Sequence, residues 1–193
     1  MNELATQLQI FVLSLQVNLG FLLKLVAALW GIHLINWILG YRLNIFGLYP
    51  RSGHGLLGII CSPLLHGNFN HLFFNTIPLL ALANFILVGG QALFWQVTLA
   101  ITLLSGGAVW LFGRSAFHVG ASGVIMGYWS YILANVYNQG TFSAILIGAL
   151  TLYYFGGMVS NLIPTSIKES WEGHLFGFLA GLVVAFVGAN RFF

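Results

Sequence analysis

Gly120-Ala121-Ser122-Gly123 sits between an apolar run that ends near Leu111 and another that begins at Val124, and the rest of the chain is read against these four residues. A serine flanked by small residues at a helix start keeps its hydroxyl uncovered. The first amides of that helix lie free beside it, because an opening turn has no intrahelical acceptors. The stretch therefore offers a nucleophile and half an oxyanion hole. The same pattern also opens tightly packed membrane helices, so by itself it leaves a structural and a catalytic reading open.

The composition decides the environment. Of 193 residues 59% are hydrophobic and 5% charged, and the mean hydropathy is +0.94; this is far from a soluble domain and specifies an all-α polytopic membrane protein. The net charge of +3 comes from singly scattered residues, without the basic stripe that follows a nucleic-acid backbone, so no nucleic-acid partner is expected. One cysteine, Cys61, has no partner for an internal disulfide or a thiolate metal site. No cleavable leader is expected: the first apolar run lacks a basic head and a small-residue cleavage site.

Residues 1–20 are read as an amphipathic segment at the membrane surface, with Leu4, Leu8, Phe11, Leu15 and Leu19 at helical spacing and Gln7, Gln9, Ser14, Gln16 and Asn18 largely between them. Residues 21–193 form the remaining domain. Apolar runs long enough for a core of roughly 30 Å predict six spans near 21–39, 70–88, 91–111, 122–138, 142–163 and 171–188. Gly89-Gly90, Asn138-Gln139-Gly140 and Pro164-Thr165-Ser166 supply the turns between them. The long segment 40–69 carries apolar residues of its own and is expected to lie in the membrane interface. The run 122–138 would reach only about 25 Å as a helix, so one end starts inside the membrane. The irregular stretch 113–121 then fills the missing depth around a wet cavity, with Ser122 at its floor. Lys24 and Arg191 on the side of the termini, against Arg42, Arg51, Arg114 and Lys168 opposite, point the termini outward by the positive-inside rule.

The chain has no aspartate, and its glutamates are Glu3, Glu169 and Glu172. That excludes an aspartyl protease, a His-Glu-x-x-His zinc protease and a Ser-His-Asp triad. Glu172, two residues before His174, faces elsewhere on a helix, so a nucleophilic Ser122 must work with histidine alone. His174 leads a stripe of glycines at 173, 177 and 181, and Gly123 and Gly127 form a second stripe. Packing the stripes together brings His174 beside Ser122, the geometry of a Ser–His pair. His118 is a rival base. His71 and Asn75 share a helix face and can both donate to a developing oxyanion. Zinc on His66, His71 and Asn75 is the competing reading, thin without carboxylate or thiolate, and neither metal nor other cofactor is expected. His33 and His54 are read as packing or interfacial residues.

The pattern His-x-x-x-x-His-x-x-x-Asn over His66–Asn75, the Gly120-Ala121-Ser122-Gly123 motif and Gly173-His174 with its glycine stripe fall in order on the second, fourth and sixth spans. In this the chain, from about residue 21 on, resembles bacterial rhomboids, the intramembrane serine proteases. The resemblance implies Ser122 as nucleophile and His174 as general base, with His71, Asn75 and the Ser122 amide as oxyanion hole. It implies a six-helix bundle with 40–69 as a membrane-lying first loop, in the inner membrane with cytoplasmic termini and a cavity open to the periplasm. The implied partners are the lipid bilayer and a transmembrane protein substrate, reaching the site near the second and fifth spans, where Tyr153-Tyr154-Phe155 lies. Two departures stand out. The Trp-Arg pair that many relatives carry in the first loop is missing, Arg51 being the nearest basic residue, and Met126 stands where relatives often hold an aromatic ring against the catalytic histidine. A rhomboid-like binding protein without proteolysis and a small channel or transporter using His66 and His71 are the alternatives.

Overall fold

The computed structural model describes residues 3–163 and 170–188. Its helices are α1 (Glu3–Ile38), α2 (Gly55–Cys61), α3 (Phe69–Leu87), α4 (Gln91–Phe112), α5 (Ser122–Gln139), α6 (Phe142–Phe155) and α7 (Trp171–Val187), with 3-10 turns at Arg42–Phe46, Ser62–Leu64 and Gly156–Leu162. The protein is an all-α polytopic membrane protein. The spans expected at 70–88, 91–111, 122–138 and 171–188 match α3, α4, α5 and α7 to within a residue at each end. The turn predicted at Pro164-Thr165-Ser166 lies outside the described residues, as do Lys168 and Arg191 of the charge count.

The packing of the N-terminal segment and the fifth span differ from expectation. α1 has no break at residue 20: its 36 residues make one rod of about 54 Å at 1.5 Å per residue. The stripe read as amphipathic packs on α3 instead of standing apart, Phe11 stacking on Phe85 with ring centroids 6.4 Å apart. Asn84 also donates to the Leu15 carbonyl at 3.2 Å. The side chains of Leu4 and Gln7, part of the same pattern, lie outside the described ones. α6 gives way to a 3-10 turn at Gly156-Gly157, where two glycines in succession weaken the α-helix. The fifth span is thus Phe142–Leu162 in two pieces.

Among the described residues four helices are long and apolar enough to cross a membrane, α7 is apolar but shorter, and α5 is not one of the four. The reason is position. Residues 124–132 of α5 are all buried, so this helix meets protein on every side and needs no lipid-compatible surface. It carries polar groups inward with their partners: Tyr128 and Thr98 share a hydrogen bond of 2.6 Å, and the Ser130 hydroxyl donates to the Phe178 carbonyl at 2.7 Å. At 18 residues it reaches about 27 Å, and Ser122 is its first residue.

The segment 40–69 folds over one end of the bundle. Leu56, Leu57 and Ile60 of α2 are exposed, while its glycines face the protein: a Cβ on Gly58 would fall 2.3 Å from the Leu48 Cα. Arg51 anchors the segment. Its Nη1 donates to the carbonyls of Leu111 (3.1 Å) and Gly113 (2.8 Å) and its Nη2 to Ser115 Oγ (3.2 Å), while Trp110 Nε1 donates back to the Ser52 carbonyl at 2.9 Å. Leu48 and His118 exchange backbone hydrogen bonds of 3.0 and 2.8 Å.

Candidate active site

The two glycine stripes interlock. A Cβ on Gly177 would stand 2.0 Å from the Gly123 carbonyl oxygen, one on Gly181 2.0 Å from that of Gly127, and one on Gly123 3.0 Å from that of Gly173. No side chain fits at 177 or 181, so α5 and α7 run backbone against backbone and form the most extensive helix pair in the fold. Ser122 and Gly173 line one cavity of about 50 Å³, together with Thr102, Ser105, Val119 and Ser170. A larger cavity of about 260 Å³, lined mainly by apolar residues such as Leu25, Leu80 and Leu99, shares Pro63, Thr102 and Val124 with it.

His174 Nδ1 lies 3.0 Å from the carbonyl oxygen of Asn161, in the 3-10 turn after α6. A carbonyl only accepts, so this bond places the ring proton of the neutral imidazole on Nδ1 and the basic lone pair on Nε2.

α3 delivers the next two groups. Asn68 caps it, its side chain accepting from the His71 amide at 2.8 Å, and this fixes the turn that carries His71 and Asn75. Gly120 has φ +121°, and a Cβ there would meet His71 Nε2 at 2.5 Å and Asn75 Nδ2 at 3.7 Å. Both side chains therefore converge on the bend just before Ser122, where only glycine fits. Asn75 Nδ2 is buried without a hydrogen-bond partner among the described residues. His66, wholly buried, accepts from the Ala121 amide through Nε2 at 3.4 Å, and Gly120 donates to the Ser62 carbonyl at 2.9 Å. The turn is thereby hung from the first loop.

His118 is occupied elsewhere. Its Nε2 donates to the Arg114 carbonyl at 3.1 Å, which leaves Nδ1 to accept from Ser170 Oγ at 2.5 Å. With both ring nitrogens engaged it has no lone pair for Ser122. Glu172, 5% exposed, pairs with Arg114 at 3.2 Å from Nε to Oε1. Met126 is 1% exposed, one turn along α5 from Ser122. His33 is buried, its ring 5.8 Å from Tyr41 and 6.5 Å from His66; His54 is exposed beside Tyr49 and Phe117. Among the described residues no three His, Cys, Asp or Glu side chains gather where they could hold a metal ion.

This arrangement has a counterpart among known proteins: a family model described as the Rhomboid domain matches residues 53–191. The chain belongs to the rhomboid family. It is 36% identical over 175 residues to uncharacterised proteins of Mycobacterium tuberculosis and Mycobacterium bovis, covering 86% of this chain and 73% of each relative. An uncharacterised protein of Mycobacterium leprae is 32% identical over 176 residues, 86% of this chain and 69% of its own. In this rhomboid, sequence reasoning missed three contributors: the Asn161 carbonyl, the His66 hook on Ala121, and the contacts of Arg114 and His118 with the head of α7. Only Arg114 and Glu172 left a signal. A glutamate inside an apolar chain needs a cation nearby, and this chain has few to offer.

Proposed function

We propose that this rhomboid is an intramembrane serine endopeptidase that hydrolyses a peptide bond in or beside a transmembrane helix of another membrane protein. The observation that carries the reading is the interlock of Gly123 with Gly173 and Gly177, which sets Ser122 and His174 at adjoining helix heads. Ser122 Oγ attacks the scissile carbonyl as its proton passes to His174 Nε2, with Nδ1–H held by the Asn161 carbonyl. The oxyanion develops toward the Ser122 amide, His71 and Asn75 Nδ2, the last a buried donor without an acceptor among the described residues. The imidazolium then protonates the leaving amine, and water, activated by the same ring, releases the acyl group. No metal takes part in these steps.

Substrate access is lateral, between α3 and α6. The two helices touch only lightly, and each carries exposed aromatic rings, Phe74 on α3 and Tyr153 and Tyr154 on α6. We place the protein in the inner membrane with cytoplasmic termini and the site open to the periplasm. The channel reading is disfavoured by His66, which is buried and tied to the Ala121 amide rather than lining a wet path. The test is covalent labelling by a fluorophosphonate together with cleavage of a single-span substrate. Labelling of the parent and none of Ser122→Ala is the expected result; equal labelling of both, or none of either, overturns the proposal in favour of a binding protein.

A further inference from the structure

Both proposed reacting groups sit where helices are weakest. Ser122 and His174 lie in the opening turns of α5 and α7, whose amides lack intrahelical acceptors, and Ser122 follows nine irregular residues, 113–121. The glycine stripes bring the two helix heads together at Gly123 and Gly173, but they do not reach the chain that leads into either head. Something else must fix those leading segments on one another.

Two side-chain links do so. Arg114, at the start of the irregular stretch, pairs with Glu172 in the first turn of α7 at 3.2 Å. His118, four residues before Ser122, accepts from Ser170, four residues before His174. Ser170 is the residue before α7, where a serine ordinarily caps its own helix, yet its side chain makes no capping bond. Its hydroxyl is spent on the neighbouring segment instead. His118 in turn holds the Arg114 carbonyl at 3.1 Å, so the two rungs share one piece of backbone. That piece is fastened on its other side to the first loop through Arg51 and Leu48.

We infer that Arg114, Glu172, His118 and Ser170 form a two-rung brace that sets the register of the nucleophile against the base, and that they are positioning residues of the proposed proteolysis. The inference rests on the proposed function. The brace leaves the His174 ring to the Asn161 carbonyl and acts instead on the helix that carries it. Reacting groups must be held to a fraction of an ångström, and misplacement by about 1 Å lowers rates about 10²-fold.

The experiment uses the full chain in detergent or liposomes. Arg114→Gln and Ser170→Ala should each lower kcat about 10-fold or more with KM within about twofold, since the brace orders reacting groups and touches no substrate. Ser170→Thr, which keeps the hydroxyl, should restore the rate. Arg114→Gln combined with Glu172→Gln should be no slower than either alone, because one link is being cut twice. A merely structural role would lower stability without the kcat-only loss or the rescue by threonine. Variants that turn over at the parental rate overturn the brace, as does equal loss in Ser170→Thr and Ser170→Ala. Should the parent itself fail to label or cleave, the protease reading falls, and amide exchange then judges the brace. Peptides covering 170–176 should exchange faster in Arg114→Gln and Ser170→Ala than in the parent, and unchanged exchange overturns it.

Discussion

His174 points Nδ1 at the Asn161 carbonyl oxygen, 3.0 Å away, so a main-chain acceptor occupies the place a carboxylate holds in a triad. The role belongs to the backbone. Asn161→Ala should therefore leave turnover within about twofold, the exposed side chain contributing no bond to the ring. A loss of tenfold or more, measured on a single-span substrate, would assign the contact to the asparagine amide group instead.

Ser122→Ala and His174→Ala should each abolish cleavage while the protein stays folded, and the double variant should be no worse, since the proposed nucleophile and base would act as one unit. Chelators should leave activity unchanged. Activity that disappears in EDTA and returns with zinc would replace the dyad with a metal site.

Asn75 Nδ2 has no acceptor among the described residues, and the His71 ring lies against the same bend at Gly120. Asn75→Ala and His71→Ala should slow kcat about 10²-fold, the scale of one oxyanion donor, with far smaller changes in KM. Loss confined to KM would make them substrate-binding residues.

The close approach of α5 and α7 can be tested without any assay of activity. Gly177→Ala places a methyl group 2.0 Å from the Gly123 carbonyl oxygen and must force the helices apart, whereas Gly107 of α4 has open space where its Cβ would be. Gly177→Ala should lower the thermal midpoint. Gly107→Ala should leave it unchanged or raise it, since alanine is favoured over glycine by about 1 kcal/mol within a helix. Equal midpoints for the two variants would mean that the stripes do not set the helix separation.

What was legible in the chain was whatever side chains announce. Glycines four residues apart can only matter if backbones touch, so Gly173, Gly177 and Gly181 revealed the α5–α7 pair before any coordinates. Apolar runs marked out all six spans, α5 among them although its run was the shortest. The rest was carried by groups that every residue possesses. The Asn161 carbonyl and the Ala121 amide that His66 holds leave no mark in the sequence, because any residue there would offer the same atoms. The docking of α1 on α3 escaped for a related reason. A stripe of Phe11 and Leu15 fits a membrane surface and the flank of α3 equally well, and only packing decides between them. His118 looked like a base because its chemistry was visible and its two hydrogen bonds were not.

Met126 is the remaining candidate, one helical turn beyond Ser122 and 1% exposed. We propose that it packs beneath the His174 imidazole. A dyad without a carboxylate depends on packing as well as on the Asn161 contact to hold the ring. A thioether offers an aromatic face about 0.3–1.5 kcal/mol of sulfur–π attraction, and a ring at this position would cover more of the imidazole. Met126→Ala should therefore lower turnover markedly by freeing His174, while Met126→Phe and Met126→Tyr should retain or exceed the parental rate. The alanine variant also opens a cavity worth about 2–5 kcal/mol of stability, so its turnover must be read at a temperature where its thermal midpoint shows it folded. The rank order of the three turnover numbers is the result that matters. An alanine variant as fast as the parent would remove Met126 from the site and leave the orientation of His174 to Asn161 and the first turn of α7.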